Sequence, residues 1–250
     1  MDPSYGAQYA ELYRRHWWWR AREESILEVI ASLRSGRGAG RFLDVGCGDA
    51  LLFNRLLPFG TVEGVEPDQA LVSEESRRRF RIHLGQFDHT YQFQEPFDVI
   101  LFLDVLEHLD DPVAAVRRAI DCLTPGGTIL VTVPAYRWLW TSHDELNHHR
   151  TRYSPTDLRR LVLAAGGHVV ELRHLFHWLV LPKLMLRIFE RCIDRLPELP
   201  RVPPSVVNAA LLGVCRIEKR MARLFDFSWG SSIIATIMAA NSDGKGESHS

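Results

Sequence analysis

The sequence predicts an α/β protein of the doubly wound class, in which helices cover both faces of a mostly parallel sheet. A strand, a glycine turn and a helix follow one another in RFLDVGCGDA, residues 41–50. A continuous apolar run at Phe97–Asp104 is typical of a central parallel strand buried on both faces. Further apolar runs alternate with helical patterns, which favours parallel strands joined by right-handed crossovers.

The first crossover has the pattern of an adenosine-binding site. Its strand ends at the glycine turn 46–48, and apolar residues then recur at helical spacing over 51–57. Glycine allows the backbone to turn sharply and to approach a ligand at the N-terminus of the following helix. Glu66 ends the next apolar run, at about the distance where dinucleotide folds place the carboxylate that holds ribose hydroxyls.

Charge around the turn indicates which adenosine ligand fits. Asp44 and Asp49 flank the glycines, and Leu51 stands where a dinucleotide fingerprint has its third glycine. Each carboxylate within about 6 Å of a pyrophosphate would cost on the order of 1 kcal/mol or more. The acids suit a cation instead, and S-adenosylmethionine carries a sulfonium and an α-ammonium but no phosphate.

The remaining elements follow from periodicity and capping residues. Residues 5–34 show helical spacing, and the glycine-rich linker 35–40 leads into the first strand. The elements predicted after it are, in order, strand 61–66, a helix from Pro67, strand 82–87, strand 97–104, a helix from Pro112, strand 128–133, a helix from Ser154 to Ala165, strand 169–175 and strand 232–240.

The chain divides into a core and added segments. The predicted segments are an N-terminal helical cap at 1–40, a core at 41–176, a helical insert at 177–228, the final strand of the core at 229–240 and a disordered tail at 241–250.

The insert contains an amphipathic helix. Its basic stripe consists of Lys183, Arg187, Arg191 and Arg195, opposite an apolar face. We expect this helix to pack on the domain with its basic edge in solvent. The alternative is that residues 177–196 rest on a membrane surface or cover an apolar acceptor.

Composition narrows the possible partners. Lys and Arg number 30 against 31 Asp and Glu, for a formal net charge of −1, so no basic field favours a nucleic-acid partner. The four cysteines are widely spaced, which favours a reducing compartment over disulfides or structural zinc. The N-terminus lacks the apolar core of a secretory signal, and we expect a cytoplasmic protein.

Four segments, in order, resemble class I S-adenosylmethionine-dependent methyltransferases, of the type 11/23-like group that includes small-molecule O-methyltransferases. They are LDVGCGDA at 43–50, GVEPD at 64–68, FDVILFLDVLEHLDDP at 97–112 and LTPGGTILVTVPAY at 123–136. The resemblance implies a Rossmann-like sheet of seven strands with the last one antiparallel. It also implies a set of cofactor-binding residues: Asp44, Gly46, Cys47, Gly48, Glu66, Pro67, Phe87, Asp88, Leu103 and Asp104.

His108 is the predicted general base. Its ordinary pKa of about 6.5 suits proton transfer near neutrality, and its motif lies beside the transferred methyl group in the relatives. Asp104, Glu107 and His108 also form D-x-x-E-H, which resembles the E-x-x-E-H of quinone-ring O-methyltransferases, where a divalent ion can be held. The same EHL sequence occurs in methyltransferases without metal, so we expect no metal here.

The acceptor site is predicted from two further segments. In the relatives, N-terminal helices and the loop after the fifth strand face the acceptor. The residues that this assigns to substrate binding are Trp17, His143, His148, Arg150 and Tyr153. A structural role is the alternative for each of them. Three consecutive tryptophans point in different directions around a helix, so most of them pack within the protein. Polar loop residues often hydrogen-bond one another.

The predicted function is methyl transfer from S-adenosylmethionine to a small apolar or amphipathic acceptor, at oxygen. Base methylation is disfavoured, because Leu103–Leu106 stands where relatives that act on nucleobases carry N/D-P-P-Y. Two alternatives are a non-catalytic scaffold that binds S-adenosylmethionine and an NAD-dependent oxidoreductase, the latter disfavoured by the acids at the turn. The sequence leaves the oligomeric state open.

Overall fold

A computed structural model describes residues 3–192, 200–222, 224 and 227–240. The predicted disordered tail, together with Arg195, lies outside these residues. Seven strands form one sheet in the described part of the chain: Gly40–Val45 (β1), Gly60–Glu66 (β2), Arg81–Leu84 (β3), Phe97–Leu103 (β4), Leu123–Pro134 (β5), Gly167–Leu175 (β6) and Ser232–Ala239 (β7). The helices are Pro3–Arg15 (α1), Trp17–Arg34 (α2), Phe53–Leu56 (α3), Glu74–Arg79 (α4), Pro112–Asp121 (α5), Ser142–Leu146 (α6), Pro155–Ala164 (α7), Val180–Cys192 (α8) and Ser205–Met221 (α9).

The sheet has the order β3-β2-β1-β4-β5-β7-β6. The first five strands in this order pair in parallel, and β7 is antiparallel to both of its neighbours. The predicted seven-stranded sheet with an antiparallel last strand is therefore confirmed. Since all carboxyl ends of parallel strands meet at one edge, the ends of β1, β2 and β4 lie side by side there.

Two apolar layers enclose the sheet. One contains Val116 of α5 and Leu158 of α7 against one face, and the other contains Ile26 and Ile30 of α2 with Phe53 of α3 against the opposite face. Each of these five side chains is at most 1% exposed. The predicted cover on both faces is thus observed.

The first crossover helix is shorter than predicted. Leu51 and Leu52 lie in turns, and α3 makes one turn before a 3-10 turn at Leu57–Phe59. Pro58 has no N–H with which to continue an α-helix, which accounts for the early end. Gly60 then returns the chain so close to β1 that a Cβ there would lie 1.8 Å from the Gly40 carbonyl oxygen.

The end of β3 and the start of α4 also differ from the prediction. Strand β3 ends at Leu84 rather than at Phe87, because its partner strand β2 ends at Glu66. The last bond of this ladder runs from the Gly85 N–H to the Glu66 carbonyl oxygen (3.0 Å). The helix predicted from Pro67 begins only at Glu74, where Ser73 caps α4. A 3-10 turn capped by Asp68 fills the intervening segment.

The insert contributes α8 and α9. Helix α9 lies along α2, where the Asn208 Oδ1 atom accepts a hydrogen bond from the Trp17 N–H (2.9 Å). Further along the same pair, Lys219 Nζ lies 3.1 Å from Glu28 Oε2. Helix α9 of the insert therefore packs against helix α2 of the N-terminal cap.

Helix α8 packs in the opposite orientation from the one expected. Arg187 donates to the Arg137 carbonyl oxygen (3.2 Å) and to that of Trp138, and Glu190 accepts from the Ser142 hydroxyl (2.6 Å). The apolar face points to solvent, with Leu181 67% and Met185 70% exposed. The expectation of a solvated basic edge is wrong for the described part of α8, because the polar face of the helix hydrogen-bonds backbone and side-chain groups of the loop after β5.

Candidate functional site

The glycine turn lies at the carboxyl end of β1. Gly46 has φ +74°, a backbone conformation that favours glycine, and its N–H donates to the Val65 carbonyl oxygen (2.8 Å). A Cβ at Gly46 would lie 2.8 Å from Val105, and one at Gly64 would lie 2.5 Å from the Cys47 sulfur. A Cβ at Gly48 would meet nothing within 4 Å, so the turn leaves space on its outer side.

Glu66 closes the same turn from the end of β2. One carboxylate oxygen accepts from the Gly48 N–H (2.8 Å), and the other accepts from the Asp68 N–H (2.9 Å). Burial raises the pKa of Glu66, whereas these two hydrogen bonds lower it. The carboxylate is therefore held rigidly beside the space that the glycines leave.

The two acids that flank the turn have different environments. Asp44 is buried, and burial raises its pKa to about 7, although the nearby Arg22 guanidinium lowers it. Asp49 instead accepts from the N–H and the hydroxyl of Ser73, at 2.8 and 2.7 Å. Burial beside Arg22 therefore governs the charge of Asp44, while Asp49 fixes the start of α4.

Asp104 follows β4 in the left-handed region, with φ +60°. Its Oδ2 atom lies 2.8 Å from Arg22 Nε of α2, and its Oδ1 atom accepts from the Thr132 hydroxyl (2.9 Å). Arg22 also donates to that hydroxyl (3.0 Å). The N-terminal cap thus carries a buried cation to the edge of the sheet, where Arg22 pairs with one oxygen of Asp104 and the Thr132 hydroxyl donates to the other.

Glu107, His108 and His149 converge beyond Asp104. One ligand atom from each lies within 4.8 Å of the other two, and the two imidazole centroids are 4.9 Å apart. Burial and the neighbouring Asp104 raise the pKa of Glu107 well above its usual range. Partial desolvation and the His149 imidazole lower the pKa of His108.

Asp144 organises the loop that brings His149 to this cluster. The carboxylate is fully buried and accepts from Arg152 Nε (2.8 Å), Arg152 Nη2 (2.9 Å) and the Thr141 N–H (2.9 Å). His149 Nδ1 lies 2.8 Å from the same carboxylate. Burial alone would raise the pKa of Asp144, but the His149 and Arg152 hydrogen bonds lower it, so Asp144 is an anion.

Other predicted cofactor residues border the turn or the adjacent loop. Pro67 follows Glu66, and Leu103 ends β4. Phe87 packs against Phe102 with ring centroids 5.8 Å apart. Asp88 accepts from the N–H and the hydroxyl of Thr90 (2.7 and 2.6 Å), which lower its pKa. The predicted cofactor roles of these residues stay predictions.

The residues predicted to contact the acceptor are in varied positions. The Tyr153 hydroxyl donates to the Leu106 carbonyl oxygen (3.0 Å) within the core, and Trp17 is buried against Trp178. Arg150 Nε donates to the His108 carbonyl oxygen (2.9 Å). These contacts are structural, and the acceptor roles of these residues stay predictions.

His143 and His148 differ in exposure. His143 is half-buried, and burial lowers its pKa to about 4. His148 is exposed and has φ +55°. The structure therefore leaves His148 the more accessible of the two, and the predicted acceptor roles of both residues remain untested.

Sequence reasoning missed Arg22, Asp144 and His149 as members of the site. Arg22 lies within an ordinary amphipathic helix, and no motif marks it. Asp144 and His149 stand in a polar loop, but the five-residue spacing that lets them bond has no helical or strand period. Only the folded loop shows that the His149 imidazole bonds the Asp144 carboxylate.

Comparison with known proteins agrees with this arrangement. The family described as "Methyltransferase domain" matches residues 18–172. A ubiquinone biosynthesis O-methyltransferase of Idiomarina loihiensis is 33% identical over 150 residues, which cover 52% of this chain and 59% of that protein. The chain thus matches about three fifths of that relative's length.

Solved structures share the fold. A Haloferax volcanii methyltransferase, in complex with the Trm112 methyltransferase activator, has a TM-score of 0.60 at 17% identity and 95% coverage of both chains. An O-methyltransferase from neocarzinostatin biosynthesis, in complex with S-adenosylmethionine and a naphthoic acid, has a TM-score of 0.56 at 17% identity over 96% of this chain and 59% of its own. Because the family match covers more than half of the sequence and the sheet has the expected topology, this chain belongs to the class I S-adenosylmethionine-dependent methyltransferases.

Proposed function

We propose that this protein methylates a hydroxyl group on a small apolar or amphipathic acceptor. The observation that carries the proposal is the adjacency of two sites at one sheet edge. The glycine turn with Asp44 and Glu66 fits a cationic adenosine ligand, and the cluster of Glu107, His108 and His149 lies beyond Asp104 on the same edge.

The residues of the turn suit S-adenosylmethionine. Glu66 holds the ribose hydroxyls, Asp44 meets the positive charge, and the space outside Gly48 admits the ligand. When bound, this donor supplies a methyl group on a sulfonium. The protein then acts mainly by positioning the acceptor and excluding water.

Methylation of an oxygen also requires loss of the hydroxyl proton. The cluster that follows β4 is the place for this step, and His108, which is exposed at its surface, is the proton acceptor predicted from the sequence. The O-methyltransferase names of several relatives support oxygen as the acceptor atom.

A labelled-methyl assay tests the proposal. Folded protein that binds S-adenosylmethionine is incubated with lipid-soluble phenols and with matched methyl ethers, and we expect label only in the phenols. Cofactor binding with no transfer to any hydroxylated acceptor would instead favour the scaffold alternative. Binding of NAD in preference to S-adenosylhomocysteine would contradict the proposal entirely.

Asp44 should make cofactor binding depend on pH. Its pKa of about 7 means that most Asp44 is neutral at pH 5.5 and ionised at pH 7.5, and only the ionised form attracts a cation. We expect the affinity for S-adenosylmethionine to increase roughly tenfold over this interval, as measured by calorimetry. Asp44→Asn should bind weakly with a flat profile; an unchanged slope in that variant would contradict the assignment.

We also propose that α8 contacts a lipid surface from which the acceptor is taken. Large apolar side chains on one face of this helix are exposed, among them Met185 at 70% and Ile188 at 56%, and soluble proteins rarely leave such a face uncovered. None of the described helices combines the length and apolar composition needed to cross a bilayer, so the contact is interfacial.

Vesicle co-sedimentation tests this contact. We expect the protein to pellet with phosphatidylcholine vesicles and a Met185→Ser, Ile188→Ser double variant to lose most of that binding. Val170→Ser is the matched control, because Val170 is 55% exposed on β6, outside α8. Equal sedimentation of the double variant and the wild type would refute the assignment.

A further inference from the structure

We propose that Lys183 of α8 binds an anionic group of the acceptor, a carboxylate or a phosphate. The proposal rests on the proposed function and deepens it, because it gives the acceptor a charged end in addition to its hydroxyl and its apolar part. Three observations support it: the way α8 docks, the lack of an acid partner for Lys183 among the described residues, and the balance of charge around its ammonium.

Helix α8 turns Lys183 toward the loop after β5. Arg187, one turn further along the helix, donates to the Arg137 carbonyl oxygen (3.2 Å), and Glu190 accepts from the Ser142 hydroxyl (2.6 Å). Residues three and four positions apart share a face of a helix, so these two contacts place Lys183 on the docked face. Its side chain is half-buried there.

The ammonium of Lys183 lies near acids but pairs with none of them. Within the described part of the chain it makes no hydrogen bond or ion pair, although Asp144 and Asp104 act on it electrostatically. Burial and the Arg152 guanidinium lower the pKa of Lys183 to about 8, so most of it is protonated at pH 7. A desolvated charge without a partner is costly, and an anion that arrives with the acceptor would offset that cost.

The two acids that act on this ammonium are already neutralised by arginines. Asp144 pairs with Arg152 (2.8 Å), and Asp104 pairs with Arg22 (2.8 Å). The nearby His143 is neutral at pH 7, because burial lowers its pKa to about 4. The lysine is therefore the surplus positive charge among these groups, and one anionic group would balance it.

The residue type is also unusual for this chain. The sequence has 27 arginines and three lysines, Lys183, Lys219 and Lys245. A lysine ammonium is a compact charge on a flexible stem, whereas a guanidinium is a planar fork, so a lysine can follow an anion into a narrow space. Lys219 has a different role, since its Nζ lies 3.1 Å from Glu28 Oε2.

The class of acceptor follows from this position. It has a hydroxyl that receives the methyl group, an apolar part and one anionic group, as in a hydroxylated aromatic acid or a hydroxylated phosphate ester. Charge-assisted hydrogen bonds hold the anion, and no covalent bond to Lys183 forms or breaks.

Lysine labelling tests the contact without methyl transfer. The full chain, with and without S-adenosylhomocysteine, is treated with dilute acetic anhydride, and mass spectrometry measures acetylation at Lys183 and Lys219. We expect 4-hydroxybenzoate and phenyl phosphate to slow acetylation of Lys183 severalfold, and the uncharged methyl 4-hydroxybenzoate to leave it unchanged. Acetylation of Lys219, the matched control, should be the same in every sample.

Variants give a second measurement, by calorimetry on protein that circular dichroism shows to be folded. Lys183→Met keeps a long unbranched side chain without the charge, and it should weaken binding of 4-hydroxybenzoate by about 10-fold or more. Its affinity for the methyl ester should not change. Lys219→Met should bind both compounds as the wild type does.

The outcomes separate this inference from the proposed function. Protection of Lys183 by the anions supports the site even if no hydroxyl is methylated, and protection by one anion alone supports it and identifies the group. Equal protection by the acid and its ester, or none by either anion, would overturn the inference. So would unchanged affinity for 4-hydroxybenzoate in folded Lys183→Met, even if methyl transfer to neutral phenols is observed.

Discussion

Replacing Glu66 by alanine is expected to weaken binding of S-adenosylmethionine and S-adenosylhomocysteine by about 100-fold or more. The Glu66 carboxylate accepts two backbone N–H groups that shape the glycine turn. The proposed role of this carboxylate is to accept the ribose hydroxyls, and a lost hydrogen bond between a ligand and a charged group costs about 1.5–3 kcal/mol. A loss of about 2.7 kcal/mol corresponds to about 100-fold in affinity. Isothermal calorimetry with both ligands measures the effect.

Glu63→Ala is the matched control for this change. Glu63 lies on the same strand, but its carboxylate pairs with Arg41 (2.9 Å) and Arg81 (3.4 Å) away from the turn. We expect the affinity of the Glu63→Ala variant for both ligands to stay within twofold of that of the wild type. If Glu66→Ala also remained within twofold while folded, the location of the cofactor at this turn would be wrong.

Asp144→Ala is expected to lower the free energy of unfolding by about 3–5 kcal/mol. The change leaves the buried Arg152 guanidinium without its partner, and breaking a buried pair from one side carries a cost of this size. Arg152 is 2% exposed, so water cannot replace the carboxylate. Urea unfolding followed by circular dichroism measures the difference.

An exposed ion pair provides the comparison for that result. Arg216 pairs with Glu24 between α9 and α2 (2.5 Å), and Arg216 is 50% exposed. Arg216→Ala should cost less than about 1 kcal/mol, because solvent screens such pairs. Similar losses of unfolding free energy in Asp144→Ala and Arg216→Ala would contradict the larger contribution expected of the buried pair.

Much of the fold could be predicted because the central strands are continuous apolar runs. The run predicted at Phe97–Asp104 matches β4 to within one residue. Where prediction failed, a local effect overrode the periodicity: Pro58 ended α3, and β3 ended where its partner strand β2 ends, at Glu66. Such contacts have no signature in a pattern of apolar residues.

The residues of the functional site and the orientation of α8 were harder to predict, for a related reason. An amphipathic pattern shows which residues share a face of α8, but not whether that face is buried or exposed. The same limit applied to Arg22, whose partner Asp104 lies 82 positions away in the sequence. The glycine turn and Glu66 could be located because their spacing is set within one crossover.

The position of β7 has a consequence for synthesis of the chain. This strand is the last of the described strands in sequence, yet it lies between β5 and β6. During translation, the edge of β5 that pairs with β7 therefore stays unpaired until residues 232–239 leave the ribosome. An open apolar edge is a template for intermolecular pairing, so a nascent chain stalled before residue 232 should depend on chaperones far more than the completed polypeptide.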